Sequence, residues 1–370
     1  SAADYEIQAS VFTNIDQNFT GTFLLQGGSF DGNCNISFDT PDLTATSGYF
    51  GGYIEVTLSA NTVLTVHSLG VSNLINNGTI ACVQKGGLIG SSAPGILNNG
   101  TWNITADSVI VLGYSNTAVP EVNVRNNGIL NLNSSLSTFM ATLENNGVIN
   151  MGANHKVVIS GDFAQKNALI GQPGSQLSLQ NTFSGSIFYN GSQTAGLSEL
   201  SVVYGKATFQ QGAILNNISN FIVSEGALET SVVLPPAAQY VFKNSRIRLN
   251  TTFQPATVLE LEDTDVEGSG NLRIGNAMNW NGGAMDVPLN IFADAQLFIQ
   301  EKNKRPIISA PFTNLGNVTL AGGILEINTG FFNNKGSWNV ISEEDVIMDG
   351  FTAFTNEGIF SICGNQPIQM

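Results

Sequence analysis

The sequence predicts an all-β protein, a right-handed parallel β-helix (β-solenoid) of about fifteen coils with an N-terminal cap. Three observations predict this fold. One short motif recurs seven times, apolar and polar residues alternate around it with period two, and no segment carries the 3.6-residue apolar stripe of a helix. Apolar residues make up 42% and charged residues 11% of the 370 residues, so uncharged polar side chains must keep the surface soluble.

The motif reads apolar-x-Asn-x-Gly-x-apolar-x-apolar, a bend that leads into a short half-buried strand. Its glycines are Gly78, Gly100, Gly128, Gly147, Gly316, Gly336 and Gly358. Its asparagines, two residues earlier, are Asn76, Asn98, Asn126, Asn145, Asn314, Asn334 and Asn356. The glycine spacings are 22, 28 and 19 residues in the first set and 20 and 22 in the second, the length of one β-helix coil with loop insertions.

Elementary backbone chemistry explains the two fixed positions. Glycine is expected to supply a positive φ at the bend, and asparagine tolerates a left-handed conformation. Because coils stack at ~4.8 Å, equivalent asparagines fall above one another and are expected to form a hydrogen-bonded ladder.

The motif also divides the chain. Residues 1–60 lack it and are predicted to form the N-terminal cap and first strands, whereas 61–370 are predicted to form the parallel β-helix. Between Gly147 and Gly316 the motif weakens while short alternating strands persist. A good repeat at Gly358, close to the last residue, predicts that the solenoid continues further or docks onto a partner at the C-terminus.

Charge and sequons constrain the setting. A net charge of -15 argues against nucleic-acid binding, and no run approaches the ~20 apolar residues needed for membrane insertion. The basic cluster Lys302, Lys304 and Arg305 is predicted to be a solvated turn. Ten candidate N-glycosylation sites indicate secretion: Asn18, Asn35, Asn77, Asn99, Asn103, Asn133, Asn190, Asn217, Asn250 and Asn317.

Three cysteines allow one disulfide and one odd thiol. Cys34 and Cys82 are the candidate pair, but about two coils would separate them by roughly 10 Å, beyond disulfide reach in a regular stack. A bond between them requires the N-terminal segment to fold back as a cap. Free buried thiols are an equally open alternative.

Residues that could carry chemistry are few. An acidic run contains Glu262, Asp263 and Asp265, a candidate Ca²⁺ site, although alternation in Glu260-Leu261-Glu262 favours charges that simply face solvent. No catalytic residue and no other cofactor is predicted. His67 and His155 are predicted to be surface or turn residues, and Trp280, predicted in an exposed turn, is a candidate sugar contact.

The Asn-x-Gly-x-apolar repeats over 74–151 and 312–362 resemble those of secreted right-handed β-helix proteins of the pectin-lyase-like type. They are similar to the β-helix domains of fungal cell-wall adhesins of the hyphally regulated family and to bacterial haemagglutinin-type solenoids. The resemblance implies an extracellular structural or adhesive glycoprotein at the cell surface or in the matrix. Its expected partners are copies of itself, other surface proteins or glycans. The alternative is a carbohydrate-active β-helix enzyme, a polysaccharide lyase or hydrolase.

Overall fold

A computed structural model describes residues 4–84, 88–89, 95–111, 123–180, 185–329, 331–341, 346–349, 354–363 and 368–369. Within these ranges every regular element is a β-strand, and there is no helix that could cross a lipid bilayer. The chain divides into two compact units, Ser1–Ser198 and Glu199–Met370. Both are built from coils of parallel strands, about 16 turns in all, as the sequence predicted.

The strands of the first unit are, in chain order, β1 (Tyr5–Ile7), β2 (Ser10–Thr13), β3 (Gln17–Phe19), β4 (Phe23–Gly32), β5 (Asn35–Phe38), β6 (Leu43–Leu58), β7 (Val63–Val66), β8 (Leu69–Asn76), β9 (Thr79–Cys82), β10 (Leu88–Ile89), β11 (Gly95–Asn98), β12 (Thr101–Ile104), β13 (Ser108–Val111), β14 (Asn123–Asn126), β15 (Ile129–Leu132), β16 (Leu136–Met140), β17 (Thr142–Asn145), β18 (Val148–Met151), β19 (Lys156–Ile159), β20 (Phe163–Gln165), β21 (Ala168–Gly171), β22 (Gln176–Gln180), β23 (Ser186–Phe188) and β24 (Gln193–Ala195).

The strands of the second unit are β25 (Glu199–Val203), β26 (Lys206–Phe209), β27 (Ile214–Asn216), β28 (Asn220–Ser224), β29 (Ala227–Thr230), β30 (Gln239–Lys243), β31 (Arg246–Leu249), β32 (Thr252–Phe253), β33 (Val258–Glu262), β34 (Asp265–Glu267), β35 (Asn271–Ile274), β36 (Ala277–Asn281), β37 (Gly283–Met285), β38 (Leu289–Ile291), β39 (Gln296–Ile299), β40 (Pro306–Ile308), β41 (Phe312–Asn314), β42 (Asn317–Leu320), β43 (Ile324–Ile327), β44 (Phe332–Asn334), β45 (Ser337–Ile341), β46 (Val346–Asp349), β47 (Phe354–Asn356), β48 (Ile359–Cys363) and β49 (Ile368–Gln369).

In the first unit each strand pairs in parallel with the equivalent strand of the next coil. One column runs β8, β11, β14, β17, β20 and β23. A second column runs β7, β9, β12, β15, β18, β21 and β24. A third column runs β13, β16, β19 and β22.

The second unit repeats this arrangement. Its longest column runs β25, β28, β30, β33, β36, β39, β42, β45 and β48. Another column runs β26, β29, β31, β34, β37, β40, β43, β46 and β49. The remaining column runs β32, β35, β38, β41, β44 and β47.

Period-two alternation in the sequence places the core. Trp102 and Ile104 of β12, and the equivalent residues of β9, β15 and β18, are buried, while the residues between them are partly exposed. Aromatic residues stack between coils in the second unit, where the Phe312 and Phe332 ring centroids lie 4.7 Å apart. In the last described coil, 354–363, Phe360 is only half-buried and Ile362 is exposed.

Residues 5–58 already wind as coils. Strands β1 and β2 pair in parallel with β4, and β4 pairs in parallel with β6. Phenylalanines fill this segment, with Phe19 stacked on Phe38 at 5.3 Å and Phe30 stacked on Phe50 at 5.3 Å. The cap function of 1–60 and the right-handed winding stay predictions.

Two corner types that the sequence analysis did not identify recur between the strands. One is a tight turn closed by a backbone bond from residue i+3 to residue i, at 59–62, 152–155, 172–175, 189–192, 210–213 and 292–295. The other is a row of left-handed residues in successive coils of the second unit: Tyr204, Glu225, Asn244 and Asp263, with φ between 46° and 55°. The tight turn at 189–192 takes the place of the Asn-x-Gly bend between β23 and β24, whereas the left-handed row lies at another corner, between β25 and β26 and the equivalent strands of the next three coils.

Candidate functional site

The first unit contains a continuous row of buried amide side chains. Asn76 Nδ2 donates to Asn98 Oδ1 at 2.6 Å, Asn98 donates to Asn126 at 2.7 Å, and Asn126 donates to Asn145 at 2.7 Å. The row ends on Gln165, whose Oε1 accepts from Asn145 at 3.0 Å. Gln165 was missed because it departs from the motif, although its position 20 residues after Asn145 and two after the buried Phe163 could have indicated it.

A separate, shorter row lies in the second unit. Asn314 Nδ2 donates to Asn334 Oδ1 at 2.7 Å, and Asn334 donates to Asn356 at 2.7 Å. In the preceding coil the equivalent position is Ile291, paired with Asn314. The seven motif asparagines therefore form two rows, each within its own unit, and not one ladder along the chain.

Both rows have the same polarity and satisfy their amide groups. Each donating nitrogen also reaches a backbone carbonyl of the next coil, as Asn76 does to Thr101 at 3.1 Å. The first oxygen of each row accepts instead from the glycine two residues ahead, Gly78 at 3.1 Å and Gly316 at 2.9 Å. Aligned amides in a water-free interior polarise one another and strengthen their hydrogen bonds. Removal of any one member is therefore expected to be costly.

Two further rows lie on the outside of the first unit and donate in the opposite direction. Asn99 donates to Asn77 at 3.0 Å, Asn127 donates to Asn99 at 2.9 Å and Asn146 donates to Asn127 at 3.0 Å. On the neighbouring strands Asn131 donates to Asn103 and Asn150 donates to Asn131, both at 2.8 Å. These residues are exposed or half-exposed, so water competes for their hydrogen bonds.

The motif glycines are required for a reason other than the one expected. None of the seven has a positive φ, so the expectation that they supply one is wrong. A Cβ on Gly100 would instead lie 2.1 Å from the carbonyl oxygen of Gly78, and one on Gly128 would lie 2.0 Å from that of Gly100. In the second unit a Cβ on Gly336 would lie 2.1 Å from the carbonyl oxygen of Gly316. Neighbouring coils touch backbone to backbone at this corner, which leaves no room for a side chain.

All ten sequon asparagines face solvent. Asn103 and Asn250 are half-exposed and the other eight are exposed, whereas the buried asparagines of the two inner rows belong to no sequon. Among the described contacts only two sequon nitrogens donate a hydrogen bond, Asn99 to Asn77 and Asn250 to Ser231 at 3.3 Å. Glycans at these positions would project away from the core.

The acidic run does not converge on one point. Glu260 and Glu262 face outward while Leu259 and Leu261 are buried, which confirms the alternation. A hydrogen bond from Lys302, and then one from Lys243, lowers the pKa of Glu262. Across the described ranges no three His, Cys, Asp or Glu side chains are grouped so that they could hold a metal ion.

Asp263 and Asp265 have partners of other kinds. Asp263 is buried and accepts from the Lys304 backbone N–H at 2.9 Å and from Asn303 Nδ2 at 2.7 Å. Asp265 accepts from the Ala284 backbone N–H at 3.0 Å. The structure therefore separates the three candidate Ca²⁺ ligands, because two of the carboxylates are used to fix the backbone of later coils.

The basic cluster is exposed in a bend, as expected, whereas Trp280 differs from expectation. Lys302 also forms an ion pair with Glu262, and Arg305 forms one with Glu326 at 3.3 Å. Trp280 is not in an exposed turn, and the expectation of a sugar contact there is wrong. Its side chain is fully buried in β36 and donates to the Gly282 carbonyl at 3.0 Å. Alternation within Ala277–Asn281 points it inward.

The prediction for His155 is partly wrong, and the cysteines follow the free-thiol alternative. His155 lies in a turn, as expected, but its side chain is fully buried. Its Nδ1 is hydrogen-bonded to the Ser134 carbonyl, and its Nε2 has no partner among the described residues. His67 is half-buried. Burial lowers the pKa of His155. Cys34 and Cys82 are unpaired buried thiols and Cys363 is an exposed one.

The absence of a Cys34–Cys82 disulfide follows from their places in the coil. Cys82 ends β9 in the column of Val66, whereas Cys34 precedes β5 and its carbonyl accepts from Glu55 of the next coil. Trp102 Nε1 donates to the Cys82 sulfur at 3.3 Å. Burial raises the pKa of the Cys82 thiol to about 11.

No protein-family model matches this chain, and neither the curated proteins nor the solved structures contain a significant match.

Proposed function

We propose that this chain is an extracellular structural or adhesive glycoprotein of a cell surface or matrix. The observation that carries the proposal is the distribution of asparagines. Ten sequon asparagines face solvent, while the buried asparagines of the inner rows belong to no sequon. A polar surface with only 11% charged residues gains solubility from such glycans.

The side-chain rows support the same role. Two inner amide rows and two outer ones tie successive coils together, and backbone contact at the motif glycines fixes the spacing of the coils. A scaffold of this kind resists local opening, since each coil is held by both of its neighbours. Building blocks and spacers of surfaces need this property.

The enzyme alternative receives no comparable support. Among the described residues, the carboxylates with shifted pKa values are Glu144, Glu229 and Glu262, and hydrogen bonds from lysines lower all three pKa values. A general acid for glycosidic cleavage requires a pKa shifted upward.

Two measurements on the full chain test the proposal. Immunogold electron microscopy of the cells that make the protein should place it outside the membrane, as a layer, filament or stalk. Enzymatic deglycosylation in H₂¹⁸O followed by peptide mass spectrometry should mark occupied sequons. Gold label found only inside the cell, or the absence of glycans from all ten sequons, would reject the proposal.

A further inference from the structure

A trough of about 390 Å³ crosses the outer face of the second unit. Its lining comes from four successive strands, β30, β33, β36 and β39, and the residue that follows β39. With coils ~4.8 Å apart, the residues that line it span about 14 Å along the stack of coils. Its volume falls in the range of small-ligand sites.

Side-chain length shapes the trough. Asn279 and Asn281 form the floor on β36, since the longer Glu260 and Glu262 stand on one side and Phe298 on the other. Register places Glu260, Asn279 and Phe298 in one row across the strands. The floor residues are half-exposed and reachable from solvent.

The amides of this floor differ from those of the outer rows of the first unit. Asn103, Asn131 and Asn150, also on outward strand positions, bond to one another along the coils. By contrast, Asn279, Asn281 and Gln300 make no side-chain hydrogen bond with any described residue. Each amide offers both a donor and an acceptor, so the trough presents three unused pairs of hydrogen-bonding groups.

Phe298 adds an apolar face to this polar row. Its ring is 37% exposed on a strand whose inward residues already supply the core. A flat aromatic beside unpaired amides matches a pyranose ring, which has an apolar face and a rim of hydroxyl groups.

Charge selects among glycans. Glu260 and Glu262 are balanced by Lys243, which lies 3.2 Å from Glu262, and by Lys302. The trough is therefore close to neutral, while the chain as a whole carries a net charge of -15. A polyanionic chain would be repelled, whereas a neutral glycan would not.

From these observations we propose that the trough binds a neutral oligosaccharide, with Phe298 stacked on a sugar ring and Asn279, Asn281 and Gln300 bonded to hydroxyl groups. This inference rests on the proposed surface role and gives its adhesive form a ligand class. Glu262 on β33 is held between two lysines, so its carboxylate is a fixed hydrogen-bond acceptor on one side of the floor.

The test uses the purified full chain and arrays of β-glucan, mannan and chitin oligosaccharides of three to six units, with oligogalacturonides as the acidic comparison. Titration calorimetry then measures the best ligand. Phe298→Ala should weaken binding about tenfold or more. Phe331→Ala, which removes another exposed phenylalanine outside the trough, should stay within about twofold.

The double variant Asn279→Ala/Asn281→Ala tests the floor separately and should also weaken binding. It replaces Phe298→Ala as the test if that variant does not fold. Asn271→Ala on β35 is its control. Failure of every neutral oligosaccharide to bind, preference for the acidic one, or wild-type binding by both trough variants would overturn the proposal. If the chain is glycosylated at the surface but binds no glycan, only the proposed ligand site is refuted. If the chain binds glycan but lies inside the cell, only the proposed surface role is refuted.

Discussion

Alanine in place of Asn98 would interrupt the inner amide row of the first unit near its start. Asn98 is fully buried, accepts from Asn76 at 2.6 Å and donates to Asn126 at 2.7 Å. Its removal leaves one donor of Asn76 and one acceptor of Asn126 without partners in a dry interior. Each such group costs about 1–3 kcal/mol, so we expect a loss of about 2–6 kcal/mol.

The adjacent residue supplies a matched control. Asn99 also sits in a row, with bonds of 3.0 Å to Asn77 and 2.9 Å from Asn127, but its side chain is exposed. Water replaces both bonds in Asn99→Ala, so we expect a loss below about 1 kcal/mol.

Hydrogen exchange measured by mass spectrometry on peptides covering 95–104 and 123–132 gives the local opening free energy. This assay suits a stack of coils, whose unfolding need not be a single cooperative step. Equal losses in Asn98→Ala and Asn99→Ala, or a difference below about 1 kcal/mol, would refute the reasoning that burial makes the inner row decisive.

Three further results are expected. Gly100→Ala should lower the opening free energy of peptides covering 95–104 by about 1–3 kcal/mol, because its Cβ would lie 2.1 Å from the Gly78 carbonyl oxygen. Unchanged hydrogen exchange in these peptides would contradict the backbone contact. At about pH 8, iodoacetamide should label exposed Cys363 well before Cys82, because burial raises the pKa of the Cys82 thiol to about 11. Mass spectrometry measures both labelling rates, and equal rates would argue against that burial. Burial lowers the pKa of His155, so the unfolded chain takes up the proton first and stability should fall as pH drops below 6.5. The thermal midpoint at about pH 5.5 relative to about pH 7.5 should drop less in His155→Gln, and an identical drop would exclude this residue as the cause.

The sequence by itself determined the architecture. Apolar-x-Asn-x-Gly repeated at coil spacing, with alternation around it, requires strands that stack in register, and Asn76, Asn98, Asn126 and Asn145 do pair in that register. Alternation also placed the core, as at Trp102. These features are local in the sequence, and therefore a pattern of a few residues was enough to reveal them.

Only the tertiary structure decided what each corner does. The need for glycine at Gly100 comes from the carbonyl of Gly78 in the neighbouring coil, a contact that no local backbone preference encodes. The partners of Asp263 and the residues that surround Asn279 and Asn281 likewise come from about 20 to 40 positions away. A coil sets its own strands, but its neighbours set which groups are covered, bonded or left for a ligand.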